Sequence, residues 1–168
     1  MEISKKDRVI LINQYRILSA LNKDAEDHYN ELIGILENGY EIFYSMIDEW
    51  ILDDMPIDNG KFVLNILDLY RAIEDLKRSS KNQDLHKHHH SYFAGFDGNN
   101  ETQYMGFARF LIEKQGKFSE QRQYLRKNDN LNSHVPMRGK YKRMLEKANS
   151  IENIWKMSVE DALKILDA

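Results

Sequence analysis

Apolar positions along the chain recur at spacings of three and four residues, and no convincing strand-type alternation interrupts them. Ser4 followed by Asp7 predicts a capped helix start. Leu11, Tyr15, Leu18 and Leu21 then form its inward stripe, and Asn22, Lys23 and Asp24 break it. A second helix is expected from about Ala25 to Asn38, with Tyr29, Leu32, Ile33 and Leu36 inward and Gly39 as C-terminal cap. YEIFYSMIDEWILDD predicts a third, which stops before Pro56 because a residue preceding proline disfavours helix. Asp58 can cap the next, whose stripe Phe62, Ile66, Leu69, Ile73 and Leu76 is widened by Val63, Leu67 and Tyr70. So broad an apolar face suits a helix with neighbours on several sides. The polar run SSKNQD ends it.

GFDGNN is rich in turn formers. Asn100 is placed to cap ETQYMGFARFLIEKQ, with Tyr104, Phe107, Ala108 and Leu111 inward and Gly116 as its stop. NDNLNSHVPM reads as loop, Pro136 fits the first turn of a helix continued by KYKRMLEKA, and Ser158 with Asp161 repeats the capping pattern before DALKILD. The expected fold class is therefore all-α: a single multihelical globular domain over residues 1–168, with about six to eight helices packed around Lys61 to Leu76.

Composition agrees with a globular helical protein: 42% hydrophobic, 30% charged and two prolines in 168 residues. The absence of cysteine excludes disulfides and thiolate-bound zinc and fits a reducing, cytoplasmic setting. The apolar run Val9 to Ile12 is too short for a signal-peptide core, and no stretch approaches the roughly 20 apolar residues of a membrane span. Charge changes the picture more. Residues 1–75 hold 16 acids against 7 bases, and residues 76–168 hold 11 against 17. Between Lys114 and Lys147 there are ten bases and three acids. Attraction between the two halves, within one fold or across an oligomer, is the plainer reading; a nucleic-acid surface is the sharper one.

HKHHH, residues 86–90, raises metal chemistry. His86 and His90 would share a helix face, whereas a strand would align His86, His88 and His90; Asp84 or Asp97 could complete a set. H-E-x-x-H is absent, and His28 and His134 are isolated. An exposed polar connection is the favoured reading, and metal held by His86, His88 and His90 would be adventitious. No phosphate loop or nucleophile elbow appears, so no cofactor is expected. Asn13 and Gln14 insert amides into an apolar helix, where they would hydrogen-bond in a core or at an interface. Arg122, Arg126, Lys127, Arg138, Lys140, Lys142 and Arg143 could contact phosphates, with Tyr124 and Tyr141 among them to stack on bases. The same residues would equally make an ordinary solvated surface.

LINQYRILSAL, ILENGY, FAGFDGNNETQYMGFARFLIEKQGKF and VPMRGKYKRML occur in that order. Together they resemble the YfbU family of bacterial proteins over nearly the whole chain, GFD followed by YMGFARF being the most specific part. The resemblance implies a predominantly α-helical, cytoplasmic protein with no assigned activity and no catalytic residues to carry over. HKHHH falls outside these motifs, so a histidine metal site would be peculiar to this chain. The family-like candidates for a functional or interface surface are Asp97, Tyr104, Arg109, Pro136, Lys140 and Tyr141. Arg109 interrupts GFARFLI, where a charge must reach solvent or find a partner; a carboxylate is expected, either Asp97 or one from the acidic half.

These readings favour a non-enzymatic helical interaction or regulatory protein acting as an oligomer, a homodimer being the commonest closed form. The alternatives are a nucleic-acid-associated regulator using segment 114–147, and a small-molecule or metal-dependent enzyme. No membrane partner is expected, and the protein partner is open.

Overall fold

A computed structural model describes residues 2–168, and their contacts fall into two compact units that divide after Asp54. The fold class is all-α. Among the described residues there are eight α-helices, joined by short 3-10 segments and one π-helical stretch, and the only β-type pairing is an isolated Phe96–Asn132 bridge.

In the first unit, α1 (Lys5–Leu21) starts on a complete capping box: the Ser4 hydroxyl accepts from the Asp7 amide, and the Asp7 carboxylate accepts from the Ser4 amide. α2 (Glu26–Asn38) ends on Gly39 at φ 67°, a left-handed cap that favours glycine. The Arg8 guanidinium donates to the Leu36 carbonyl at 3.1 Å and ties the two helices together. The core is small: Leu32, Ile35, Leu36, Tyr44 and Ile47, lined by Ile3, Leu11, Ile12, Tyr15 and Met46. The stripe expected on α1 is only half right. Leu11 and Tyr15 face this core, but Leu18 and Leu21 are exposed, and Ile12 and Ser19 take the inward positions. The third expected helix is also shorter. A 3-10 turn at Glu41–Phe43 leads to α3 (Ser45–Asp48), and residues 52–56 are irregular. Its apolar residues surround the chain rather than marking one face, and no capping side chain holds it.

The second unit is built on α4 (Ile57–Ser80), 24 residues long, whose two expected apolar rows form its core. α5 (Gln83–Lys87) is a single turn capped by Asn82 within the stretch read as a polar connection. α6 (Thr102–Arg109) runs into the π-helical Phe110–Lys114; α7 (Arg138–Ala148) and α8 (Val159–Leu166) complete the unit, α8 on the expected Ser158–Asp161 box. The GFDG segment threads against residues 131–133. The Phe96 amide donates to the Leu131 carbonyl at 3.0 Å, and the Phe96 carbonyl accepts from the Ser133 amide at 3.1 Å. Asp129, Asn130 and Leu131 all have positive φ there. Asn128 holds this left-handed turn, its side chain donating to the Phe93 carbonyl and accepting from the Leu131 amide.

Candidate functional site

Along α4 the second apolar row, Val63, Leu67, Tyr70, is continued at the same spacing by Glu74 and Lys77. Helical geometry therefore turns an acid and a base into the core, each only 5% exposed. The Lys77 ammonium donates to the Glu74 carboxylate at 2.7 Å, to the Ser91 carbonyl at 3.1 Å and to the Tyr124 hydroxyl at 3.0 Å. Tyr124 in turn donates to the same Glu74 oxygen at 2.7 Å. Burial, then that hydrogen bond to Glu74, pushes the phenol well above its ordinary range, so it stays protonated. An open cavity of about 450 Å³ lies over this triangle, walled by His86, Tyr92 and Lys127. The three donors of the ammonium are all used, and the acid neutralises it in place. Such an arrangement anchors three segments of chain; an incoming anion would have to break an existing ion pair to bind. Glu74, Lys77 and Tyr124 were not singled out from the sequence as a cluster. The signal was the apolar row running on into two charges.

The residues proposed as a family surface do not form one. Asp97, Tyr104 and Tyr141 are buried. Asp97 accepts from the Asn99 amide at 3.1 Å and from the Asn100 side chain, which hold its carboxyl below its ordinary range; it shapes a turn. Tyr104 packs on Phe62 and Phe96 with the Arg138 guanidinium 4.4 Å above its ring. Tyr141 donates to the Gly95 carbonyl at 3.0 Å. Pro136 lies just ahead of α7, whose first amides, Met137 and Arg138, are accepted by the buried Glu101 carboxylate at 2.9 and 2.8 Å. Arg109 corrects its expectation: it has no ion pair among the described residues and donates instead to the Asn130 carbonyl at 2.7 Å. The left-handed turn aims that carbonyl at the guanidinium, so a backbone dipole takes the place of the expected acid.

The basic segment is likewise occupied. Arg122 donates twice to the Ile112 carbonyl, at 3.2 and 3.0 Å, and Lys127 covers the Tyr92 ring at 3.9 Å. Lys140, Arg143 and Lys147 donate to the carbonyls of Leu166, Ala168 and Lys164, gathering three cations at the negative end of α8. Lys114, Lys117, Arg126 and Lys142 remain as exposed bases. Tyr141 is fully buried, and the half-buried Tyr124 packs its ring against Tyr92 and Lys77 while its hydroxyl is held by Glu74. The histidines are occupied too: His88, His89 and His90 pack ring against ring, with centroids 4.8, 3.9 and 6.1 Å apart for 88–89, 89–90 and 88–90. His86 bonds the Lys77 carbonyl at 3.1 Å, and His88 contacts Asp167 at 3.1 Å. Burial first, then Lys140, pulls His90 down to about 4. No group of three metal-ligating side chains converges among the described residues, so His86, His88 and His90 do not form the set that the spacing permitted.

The first unit offers a different kind of surface. Among the described residues, eleven of the fifteen exposed large apolar side chains lie between Val9 and Leu52, including Leu21 (79% exposed), Ile42 (83%), Trp50 (77%) and Leu52 (86%). They fall into two groups: the outer side of α1, and the segment from Tyr40 to Leu52. Scattered exposed apolar residues need no explanation, but so many on 54 residues do.

The family model for the YfbU domain matches residues 1–168. The chain belongs to the YfbU family. A UPF0304 protein of Methanocaldococcus jannaschii is 48% identical over 169 residues, covering 99% of each chain. UPF0304 proteins of Pasteurella multocida and Histophilus somni are each 27% identical over the full length of both chains. The first of these relatives is archaeal, so the YfbU family is wider than the bacterial group that the resemblance implied. No helix of the described YfbU chain is long and apolar enough to cross a membrane.

Proposed function

We propose that this YfbU-family chain is a non-enzymatic interaction or regulatory protein that works as a homo-oligomer through the apolar surface of its first unit. One observation carries the reading: the concentration of exposed apolar side chains between Val9 and Leu52 on a unit whose own core holds five buried residues. Burying apolar area is the general driving force of association, and a unit this small gains most from it. The polar chemistry of the second unit supports the same view, because Lys77, Glu74 and Tyr124 satisfy one another, and Lys140, Arg143 and Lys147 cap α8.

Sedimentation velocity on the full chain at tens of micromolar tests it. The expected result is a species of at least twice the 19.9 kDa chain mass. A monomer throughout that range overturns the reading.

A further inference from the structure

A cavity of about 450 Å³ opens between α4 and α7, wholly within the second unit. α4 lines it with Phe62, Asn65, Asp68 and Leu69, and α7 with Lys142, Leu145, Glu146 and Asn149. Steps of three, four and seven residues bring side chains to one face of a helix, so each set is a single stripe turned toward the other. The floor is apolar: Leu69 and Ala148 are buried, and Ile154 packs on the core.

The polar groups here differ from those elsewhere in the unit. Over the Glu74–Lys77 pair every donor is used. In the α4–α7 cavity the side chains of Asn65, Asp68, Lys142, Glu146 and Asn149 make no hydrogen bond or ion pair among the described residues. Asp68 matters most, because it is half-buried. Burial raises its carboxyl above the ordinary range; Arg71 opposes the rise, but that guanidinium is bonded to Glu120 at 2.8 Å. A carboxyl partly withdrawn from water and given no donor by its own chain has capacity for one from outside. At the mouth stands Trp155. Its backbone is fixed, since the Asn153 side chain accepts from the Trp155 amide at 2.9 Å and Met157 just beyond is buried. The indole is nonetheless exposed.

These groups define what fits among them. Carboxylates only accept, an ammonium only donates, and amides do both. Their common complement is the hydroxyl, which also does both. The flat face of an indole beside them takes the C–H face of a saturated ring. Two acids against one base disfavour a phosphate, and Lys142 disfavours a bare cation. The volume lies within the range of small-molecule sites, roughly 300–1,000 Å³.

We propose that the cavity between α4 and α7 binds a neutral sugar, a mono- or disaccharide unit whose ring lies on Trp155 and whose hydroxyls are held by Asn65, Asp68 and Asn149. Glu146 and Lys142 border it. This goes beyond the reading of the chain as an interaction protein and does not depend on its oligomeric state.

Saturation-transfer NMR and calorimetry on the full native chain test it. The probes are maltose, ribose and the methyl glycosides of glucose, galactose, mannose and N-acetylglucosamine. At least one is expected to bind saturably with a Kd of about 10 mM or tighter. Trp155→Ala and Asn65→Ala should each weaken that binding by about tenfold; both residues are exposed, so the fold is not at stake. Asp68→Ala should lose affinity without lowering the melting temperature, because an unpartnered, half-buried carboxyl contributes no stability. Trp50→Phe, in the first unit, should leave binding unchanged. Variants at Trp155, Asn65 and Asp68 that bind as tightly as the native chain would put the sugar elsewhere and overturn the site. The proposal also fails if no probe binds saturably up to about 50 mM. It fails equally if adenosine binds where every sugar does not, or if glucose 6-phosphate binds more tightly than methyl glucoside.

Discussion

At Lys77 a cation lies almost wholly out of water, and everything that makes this tolerable is within hydrogen-bonding distance. Removing one partner of such a group costs more than removing all of them, because the survivor keeps its desolvation penalty and loses its compensation. Lys77→Met, which strands Glu74, is therefore expected to lower the unfolding free energy by about 3–5 kcal/mol in urea denaturation. Lys77→Met combined with Glu74→Leu and Tyr124→Phe should recover most of that loss; a triple variant no better than the single would refute the account. His90 carries a different signature. Burial, with Lys140, His89 and His88 behind it and Asp167 opposing, lowers its imidazole from 6.5 to about 4. Between those values the unfolded chain binds a proton that the folded chain refuses, so stability falls as pH drops through that window. Asp97 and Asp167, whose carboxyls are held low, lose their contributions only as pH falls below 3.8. The melting temperature should therefore decline from pH 6.5 toward 4, and His90→Gln should flatten that decline. An unchanged slope in the variant would assign the effect elsewhere.

Among the elements, α4 and the capped ends of α1 and α8 were legible because a wide stripe and a Ser-x-x-Asp box each have one physical meaning. α1 was misread at Leu18 and Leu21 for the converse reason: it carries two apolar stripes, and periodicity cannot say which one its own chain covers. The start of α6 shifted from Asn100 to Glu101, whose carboxylate is spent on the amides of Asp97, Met137 and Arg138, residues too far apart in sequence to be linked in advance. The candidate surface failed similarly. Asp97, Tyr104 and Tyr141 are polar in type, but Asp97 is spent on its own turn, on Asn99 and Asn100, and Tyr104 and Tyr141 find partners in distant segments, Arg138 and Gly95. NDNLN looked like plain loop, yet it packs Leu131 fully inside against the GFDG segment. That packing has a sharp test at Gly95, which adopts φ 93° and where an added Cβ would lie 2.0 Å from the Leu131 carbonyl oxygen. Gly95→Ala is expected to cost more than about 2 kcal/mol in thermal or chemical unfolding. A loss within ~0.5 kcal/mol would show that the two segments can part without penalty.

For the whole molecule, the expectation of one hydrophobic centre at Lys61 to Leu76 describes the second unit; the first has a core of its own. The charge imbalance follows the same division. Residues 1–54 carry 12 acids against 5 bases, and residues 55–168 carry 15 against 19. The join, residues 52–56, is irregular, and Leu52, Asp53, Asp54 and Pro56 are exposed. Limited proteolysis with an enzyme that cuts after apolar or acidic residues should therefore nick the native protein first between Ile51 and Met55. First cleavage within α4 or at the GFDG segment would contradict that order.

The ionic triangle of Glu74, Lys77 and Tyr124 also limits how this lineage can drift. A single change at any corner leaves a buried group uncompensated, and the chain that bears it is removed before a second change arrives. An apolar version of the same interior lies on the far side of that valley, reachable only by near-simultaneous replacement. Relatives should accordingly inherit the three residues as a block or have lost them as a block, with mixed combinations scarce, while Arg126 and Lys117 wander freely.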